Sequence, residues 1–211
     1  MSPVVNSRTN VETIASPFQI QLPRDSRTRF YATGRFTLQL APNQVGEIIA
    51  GVLHAQPRHT THHARASSVL GADLEPAFGR GRGGPGGWVI LDEPEVHLGV
   101  EPDILVPDLG GWRREHMPEL PDAAFLAIPP DWVCEVLSPS TQQLDRSKKL
   151  PIYRREQVAH VWLVDPSAKT LEVLRLDGDS YRLIVTYADD ERCRAEPFDA
   201  IELELGALWQ R

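Results

Sequence analysis

One stretch limits the possible folds of this chain more than any other: residues 131–166, DWVCEVLSPSTQQLDRSKKLPIYRREQVAHVWLVDP. It predicts a buried strand at 132–137, a turn, a helical segment and a second buried strand at 161–164. Glu135 lies among the apolar residues of the first strand. Because a buried carboxylate is costly unless a cation, a metal ion or hydrogen bonds compensate its charge, we expect Glu135 to have such a partner.

The helical segment between the two strands carries two neighbouring lysines, Lys148 and Lys149. Asp145 and Lys149 are four residues apart, so they share a face if the segment is helical, where they could also form an ordinary surface ion pair. Pro151 lacks a backbone donor and disfavours helical geometry at the residue before it. We therefore expect either a kink there or two short helices that meet near Lys149.

The chain before this stretch predicts a hairpin, a helix and several strands. Residues 45–55 form two apolar segments around Ala50-Gly51, which fits a tight hairpin and places Glu47 on a half-buried strand. By strand alternation alone, a solvent-facing Glu47 is the more common arrangement. Apolar spacing predicts a helix over 62–78, and the histidines at its start are expected to be structural, although His59 and His63 have a metal-binding spacing.

Further strands are predicted at 88–91, 96–98 and 104–106, and a hairpin at 171–187. Strand pairs with two helical segments and no strict β-α-β alternation favour an α/β or α+β fold with a mixed sheet. We expect one domain at 36–211, preceded by a polar, proline-containing arm at 1–35 whose later part adds a short strand.

Composition excludes few functions. The chain has 41% hydrophobic and 24% charged residues, as an ordinary globular protein does. A net charge of -7 gives no overall basic footprint of the kind many nucleic-acid binders carry, but a nuclease site is itself acidic. The first 30 residues have no apolar run after a basic start, so we expect no signal peptide, and no stretch approaches the ~20 apolar residues that span a bilayer. With only two cysteines, we expect a reduced, cytoplasmic protein without membrane contact.

Three residues form a candidate catalytic set: Asp108, Glu135 and Lys149. Metal-assisted hydrolysis of a phosphodiester requires at least two oxygen ligands for a Mg²⁺-like ion and a nearby cation. The two carboxylates and the lysine meet this requirement. Spacing alone is a weak indication, because the chain has 29 acidic residues. Each of the three also has a structural alternative, as a turn residue, an arginine partner or a surface ion pair.

Four sequence blocks are similar to the Uma-two family of endonucleases, within the PD-(D/E)xK restriction-endonuclease-like superfamily. The blocks are PDLGGWRREHMP at 107–118, PDWVCEVLSPST at 130–141, DRSKKLPIY at 145–153 and VWLVDP at 161–166. The resemblance extends over about 36–209. It implies an α/β fold with a restriction-endonuclease-like mixed β-sheet flanked by helices, and with extra N-terminal strands.

The resemblance also implies roles for individual residues. Asp108 corresponds to the Asp of the first half-motif and Glu135 to the acidic residue of the second. Leu137 occupies the position where the superfamily carries a lysine. The resemblance implies a lysine on the following helix instead, at Lys149, with Lys148 as the second choice.

Two further carboxylates enter through the resemblance. Glu47, in a strand followed by a glycine turn, is similar to an additional family carboxylate and would complete a metal shell with Asp108 and Glu135. Asp103, in a second Pro-Asp pair, is the alternative to Asp108, but the apolar residues and the R-x-E-x-x-P run of the family follow Asp108.

The resemblance implies an endonuclease that uses Mg²⁺ or Mn²⁺ to hydrolyse DNA, with Lys149 orienting the nucleophile or neutralising the phosphate. A homodimer is expected because cutting both strands of a duplex needs two sites. The main alternative is a binding or regulatory protein that keeps the nuclease fold with little activity, which the acidic net charge and the missing in-strand lysine favour. A third hypothesis keeps the same site but assigns it RNA or another phosphodiester.

Overall fold

The computed structural model describes residues 29–33, 36–40, 44–58 and 60–210. The predicted boundary between an arm at 1–35 and a domain at 36–211 stays a prediction, because most of the arm, like His59, lies outside the described residues. The strands in chain order are β1 (Arg29–Thr33), β2 (Phe36–Leu40), β3 (Gln44–Ile49), β4 (Val52–Pro57), β5 (Trp88–Asp92), β6 (Val96–Leu98), β7 (Asp103–Leu105), β8 (Leu109–Arg113), β9 (Trp132–Val136), β10 (His160–Asp165), β11 (Thr170–Asp177), β12 (Ser180–Ala188), β13 (Arg192–Cys193) and β14 (Leu203–Glu204). The helices are α1 (Thr61–Leu74), α2 (Gln142–Leu144), α3 (Leu150–Arg155) and α4 (Gly206–Trp209), with π-helical turns at Glu75–Gly79 and Asp145–Lys149.

A six-stranded mixed sheet forms the centre of the fold. Its strands lie in the order β12-β11-β10-β9-β8-β5. β9 and β10 are parallel, and every other neighbouring pair is antiparallel. The helical segment between β9 and β10 makes the long connection that a parallel pair requires. The predicted mixed sheet with flanking helices is confirmed.

A second, four-stranded antiparallel sheet has the order β4-β3-β7-β6. Its β3–β4 hairpin is the predicted one, and both turn residues, Ala50 and Gly51, have positive φ. A Gly takes this geometry at little cost, which is why the Ala-Gly pair marks the turn. At the N-terminus, β1 and β2 form a separate antiparallel pair, the extra strands that were expected there.

The two faces of the six-stranded sheet contact different layers. On one face, Trp132, Cys134 and Val136 pack with α1 and the C-terminal segment. On the other face, Val133 and Leu137 pack with α3 and the four-stranded sheet. Because side chains alternate along a strand, Glu135 points to this second face, toward α3.

The helical segment that follows β9 takes the second of the two forms expected at Pro151, short helical segments that meet next to Lys149. Instead of a kink, a π-helical turn joins α2 to α3, and Leu150 keeps helical dihedral angles (φ −53°, ψ −44°). The Leu150 N–H donates to the carbonyl of Asp145, five residues back, so the widened turn accommodates the residue that has no N–H. We call α2, this turn and α3 together the site helix.

Among the described residues, no helix combines the length and the apolar character needed to span a bilayer.

Candidate active site

A small acidic cleft lies where the four-stranded sheet, β9 and the site helix meet. Its volume is about 20 Å³, enough for one water-sized group. The cleft is lined by Val45, Glu47, Gln56, Val106, Asp108, Glu135, Val136, Thr141, Asp145 and Lys149. All three residues of the predicted catalytic set and the predicted additional carboxylate are therefore in one place.

Lys149 is surrounded by carboxylates. Its Nζ atom lies 2.9 Å from Glu47 Oε1, 3.1 Å from Glu135 Oε2 and 3.2 Å from Asp145 Oδ1. Only 4% of the residue is exposed to solvent. The π-helical turn places Asp145 and Lys149 on the inward face of the site helix, so the pair is buried and is not the surface ion pair that the sequence also allowed.

The charge of Lys149 is fixed by these neighbours. Burial by itself lowers the pKa of the lysine, but the charges of Glu135, Glu47 and Asp145 outweigh burial and raise its pKa well above the ordinary value. Lys149 is therefore a protonated ammonium group at neutral pH. It can donate hydrogen bonds and stabilise negative charge, and it cannot accept a proton as a general base.

Glu135 has a donor at each carboxylate oxygen. Lys149 contacts Oε2, and the hydroxyl of Tyr153 donates to Oε1 at 2.5 Å. Burial raises the pKa of Glu135 well above its usual range; Lys149 opposes this shift, and the nearby Asp145 and Asp108 add to it. The partners expected for the buried Glu135 carboxylate are thus the Lys149 ammonium group and the Tyr153 hydroxyl.

Asp108 connects β8 to β9 and to α1. Its Oδ2 atom accepts a hydrogen bond from the backbone N–H of Val136 at 2.7 Å. Its Oδ1 atom lies 3.3 Å from Nε2 of His63, a buried residue in the first turn of α1. These contacts orient the carboxylate beside the end of β9, next to Glu135.

Glu47 closes the cleft from the side of the four-stranded sheet. It is only 3% exposed, so the solvent-facing alternative is wrong. The backbone N–H of Val106 donates to its Oε1 atom at 2.9 Å, and Lys149 contacts the same oxygen. The site helix covers this face of β3 through Lys149, which alternation within a single strand cannot reveal.

The two alternative residues have other surroundings. Asp103 accepts hydrogen bonds from the Ala50 N–H at the hairpin turn and from Arg155 at 2.9 Å, and it does not line the cleft. Lys148 is exposed to solvent and does not line the cleft. The geometry therefore brings together Asp108 and Lys149, while Asp103 stabilises the hairpin.

Three residues at the site were not assigned to it from the sequence: Asp145, Tyr153 and His63. Asp145, Lys149 and Tyr153 follow one another at intervals of four residues, so a buried helical stripe was visible in the sequence. The part of these residues in the site could not be predicted, because intervals alone do not tell which face of a helix is covered by the rest of the protein. His63 carried the weaker signal of a histidine at a predicted helix start.

The charged side chains that line the cleft include oxygen donors of the kind that bind divalent metal ions. Within 44–58 and 60–210, no three His, Cys, Asp or Glu side chains converge closely enough to form a ready-made metal site. However, the cleft places four carboxylates, Glu47, Asp108, Glu135 and Asp145, against a single lysine. This excess of negative charge on hard oxygen donors fits Mg²⁺ or Mn²⁺.

Comparisons with known proteins give the family and the fold of this chain. The Uma2 family model, described as "Putative restriction endonuclease", matches residues 35–206. Among solved structures, a putative nuclease of DUF820 from Anabaena variabilis ATCC 29413 superposes with a TM-score of 0.62 at 20% identity, covering 82% of this chain and 93% of that chain. At this identity the superposition shows a shared fold. No curated protein sequence gives a significant match.

Proposed function

Because this chain belongs to the Uma2 family of putative restriction endonucleases, we propose that it is a metal-dependent endonuclease that hydrolyses phosphodiester bonds in DNA. One observation carries the proposal: carboxylates from three separate parts of the fold meet a protonated lysine in a single buried cleft. Such convergence of ionisable groups, with strongly shifted pKa values, is typical of catalytic sites.

Asp108, Glu135 and Glu47 are the residues proposed to hold Mg²⁺, or Mn²⁺ in its place. A divalent ion bound there would supply Lewis-acid activation of the phosphodiester and of the attacking water. The side chains themselves contribute orientation: the Val136 N–H holds Asp108, the Val106 N–H holds Glu47, and Tyr153 holds Glu135.

Lys149 acts in this proposal as a fixed positive charge. Its three N–H groups are directed at Glu47, Glu135 and Asp145, and its positive charge stabilises the negative charge that increases on the phosphoryl oxygens in the transition state. Asp145 keeps the lysine directed into the cleft through the contact between Oδ1 and Nζ. A lysine on the site helix thus provides the charge that Leu137 cannot provide from the strand.

The inactive binding protein is the competing hypothesis. A Lys149 side chain directed away from the carboxylates would favour it, whereas Nζ lies 3.1 Å from Glu135.

We also propose that the protein acts as a homodimer in the cytoplasm, since cleavage of both strands of a duplex requires two sites. The oligomeric state is measurable by light scattering with and without DNA.

A cleavage assay tests the function. The purified chain is incubated with double-stranded DNA, single-stranded DNA and RNA in the presence of Mg²⁺, Mn²⁺ or a chelator. We expect cleavage of DNA that requires the metal, and we expect Asp108→Asn to reduce it by about 100-fold or more. If the folded protein leaves every substrate intact with both metals, the binding-protein hypothesis replaces this one.

Asp103→Asn is the matched control for Asp108→Asn. Both substitutions remove one carboxylate charge from a Pro-Asp pair, and Asn retains an oxygen that can accept the Ala50 N–H. We expect Asp103→Asn to cleave DNA at nearly the normal rate. An equal loss in the two variants would show that the effect of Asp108→Asn is not specific to the cleft.

A further inference from the structure

We infer that Tyr153 is a positioning residue for the proposed hydrolysis, because its hydroxyl fixes the Glu135 carboxylate with one oxygen directed at the cleft. The inference rests on the proposed function of this site. It assigns a role to a residue that lies outside the cleft lining and touches neither the cleft nor its contents.

The geometry around Tyr153 is specific. The residue is fully buried, and its ring packs in the apolar cluster between the two sheets. Its hydroxyl donates to Glu135 Oε1, while Lys149 contacts Oε2 from four residues earlier on the same helix. One face of the site helix therefore holds the two oxygens of Glu135 with two different donors.

This arrangement matters because the terminal torsion of a glutamate is intrinsically loose. Rotation about the bond to the carboxylate has a broad, roughly two-fold profile, so packing alone does not select which oxygen faces the cleft. A donor at Oε1 makes that oxygen unavailable and presents Oε2 to the cleft. Without the hydroxyl, Oε1 would be a buried acceptor lacking its donor, and the carboxylate would turn to share Lys149.

Phenol donors to metal-ligand carboxylates act through the ligand, and their removal typically costs 10-fold to 100-fold in metal affinity or activity. Tyr153 is placed to act in this way on Glu135. It has no contact with solvent through which it could bind DNA directly. The effect of losing its hydroxyl should therefore fall on metal affinity and on kcat, while KM for DNA stays nearly constant.

Tyr181 provides a matched control. It is a half-buried tyrosine whose hydroxyl donates to the Val158 carbonyl at 2.7 Å, and it packs against the same apolar cluster. Its hydrogen bond does not involve any residue of the cleft. Tyr153→Phe and Tyr181→Phe each remove one hydroxyl and keep the ring with its packing, so both variants are expected to fold.

The experiment measures Mn²⁺ binding by isothermal titration calorimetry and DNA cleavage in parallel, for the full chain and both variants. We expect Tyr153→Phe to weaken Mn²⁺ binding by about 10-fold and to lower kcat by about 10-fold, with KM for DNA within about 2-fold of the original. Tyr181→Phe should change neither quantity. Circular dichroism and thermal melting establish that both variants are folded.

Two results would overturn the inference: unchanged Mn²⁺ affinity in Tyr153→Phe, or an equal loss of affinity in Tyr181→Phe. The calorimetric measurement also separates this inference from the proposed function. If the unmodified chain binds Mn²⁺ without cleaving DNA, the function fails, and the difference in affinity between the two tyrosine variants still decides the role of Tyr153.

Discussion

Replacing Lys149 by methionine is the most direct perturbation of the site. Met keeps most of the length and apolar volume of the lysine stem and removes its charge. The substitution leaves Glu47, Glu135 and Asp145 buried together without the cation that contacts all three. We expect a large loss of stability, since a buried charge whose partner has been removed is strongly destabilising.

The magnitude follows from the distances. At an effective dielectric constant of about 20, each of the three contacts near 3 Å contributes about 5 kcal/mol before desolvation. The cost of burying four ionised groups offsets most of this gain. Measured losses after removing one partner of a buried pair are about 3–5 kcal/mol. For a chain of this size, that loss lowers Tm by about 10 °C.

The loss depends on pH with a defined sign. The pKa of Glu135 and that of Asp145 are raised in the folded state, mainly by burial, and removing Lys149 takes away the charge that opposes this shift. A carboxyl group whose folded pKa exceeds its unfolded value favours folding below the unfolded pKa and loses that contribution as pH rises through the folded pKa. The variant should therefore be less destabilised at about pH 5 than at about pH 8.

Urea unfolding at both pH values, without divalent metal, measures this effect. Lys148→Met is the control, because Lys148 is the exposed neighbour on the same helical turn and has no part in the cleft. We expect less than about 0.5 kcal/mol from the control. A Lys149→Met variant as stable as the original chain at about pH 8 would refute the reasoning that this lysine compensates the buried carboxylates.

Two further predictions test the packing. A Cβ atom at Gly111 would lie 2.9 Å from the Trp132 ring, whereas one at Gly71, inside α1, would meet nothing closer than 3.7 Å. Urea unfolding should therefore give a loss of about 1–3 kcal/mol for Gly111→Ala and a gain of about 0.5–1 kcal/mol for Gly71→Ala; equal effects would contradict the described packing. Cys134 and Cys193 are both buried, and burial raises the pKa of Cys193 to about 11. A thiol reagent at about pH 8 should label neither cysteine in the native chain and both in guanidinium chloride, and rapid labelling of the native chain would contradict their burial.

Local signals in the sequence were sufficient to predict most of the strands. The hairpin around Ala50-Gly51 and the two strands that flank the site helix were predicted near their observed bounds. In each case an apolar run ends at a residue that favours a turn, so the signal is contained within a few positions. The same is true of the block that contains Glu135, whose burial follows from the apolar residues on both sides.

The parts that could not be predicted depend on contacts between distant segments. The burial of Glu47 requires the site helix to cover β3, and Asp145 is buried because that helix turns its inner face toward β9. Pro151 left two alternatives open, a kink or two short helices that meet near Lys149, because its effect depends on the hydrogen bonds of the preceding turn. The segments are joined by a π-helical turn at Asp145–Lys149, and no residue type in the sequence predicts such a turn.

The site helix has a consequence for the order in which this site assembles as the chain folds. Glu135 lies 14 residues from Lys149 and 18 from Tyr153, within one continuous strand-helix-strand unit. Asp108 contacts Val136 from 28 residues away, and Glu47 reaches Val106 across 59. Closing a short loop costs less entropy than closing a long one, so the contacts of Lys149 and Tyr153 with Glu135 are expected to form first. Glu135 would then be oriented before Asp108 and Glu47 reach the site. The acidic cleft would be complete only when the β3–β4 hairpin packs against the site helix.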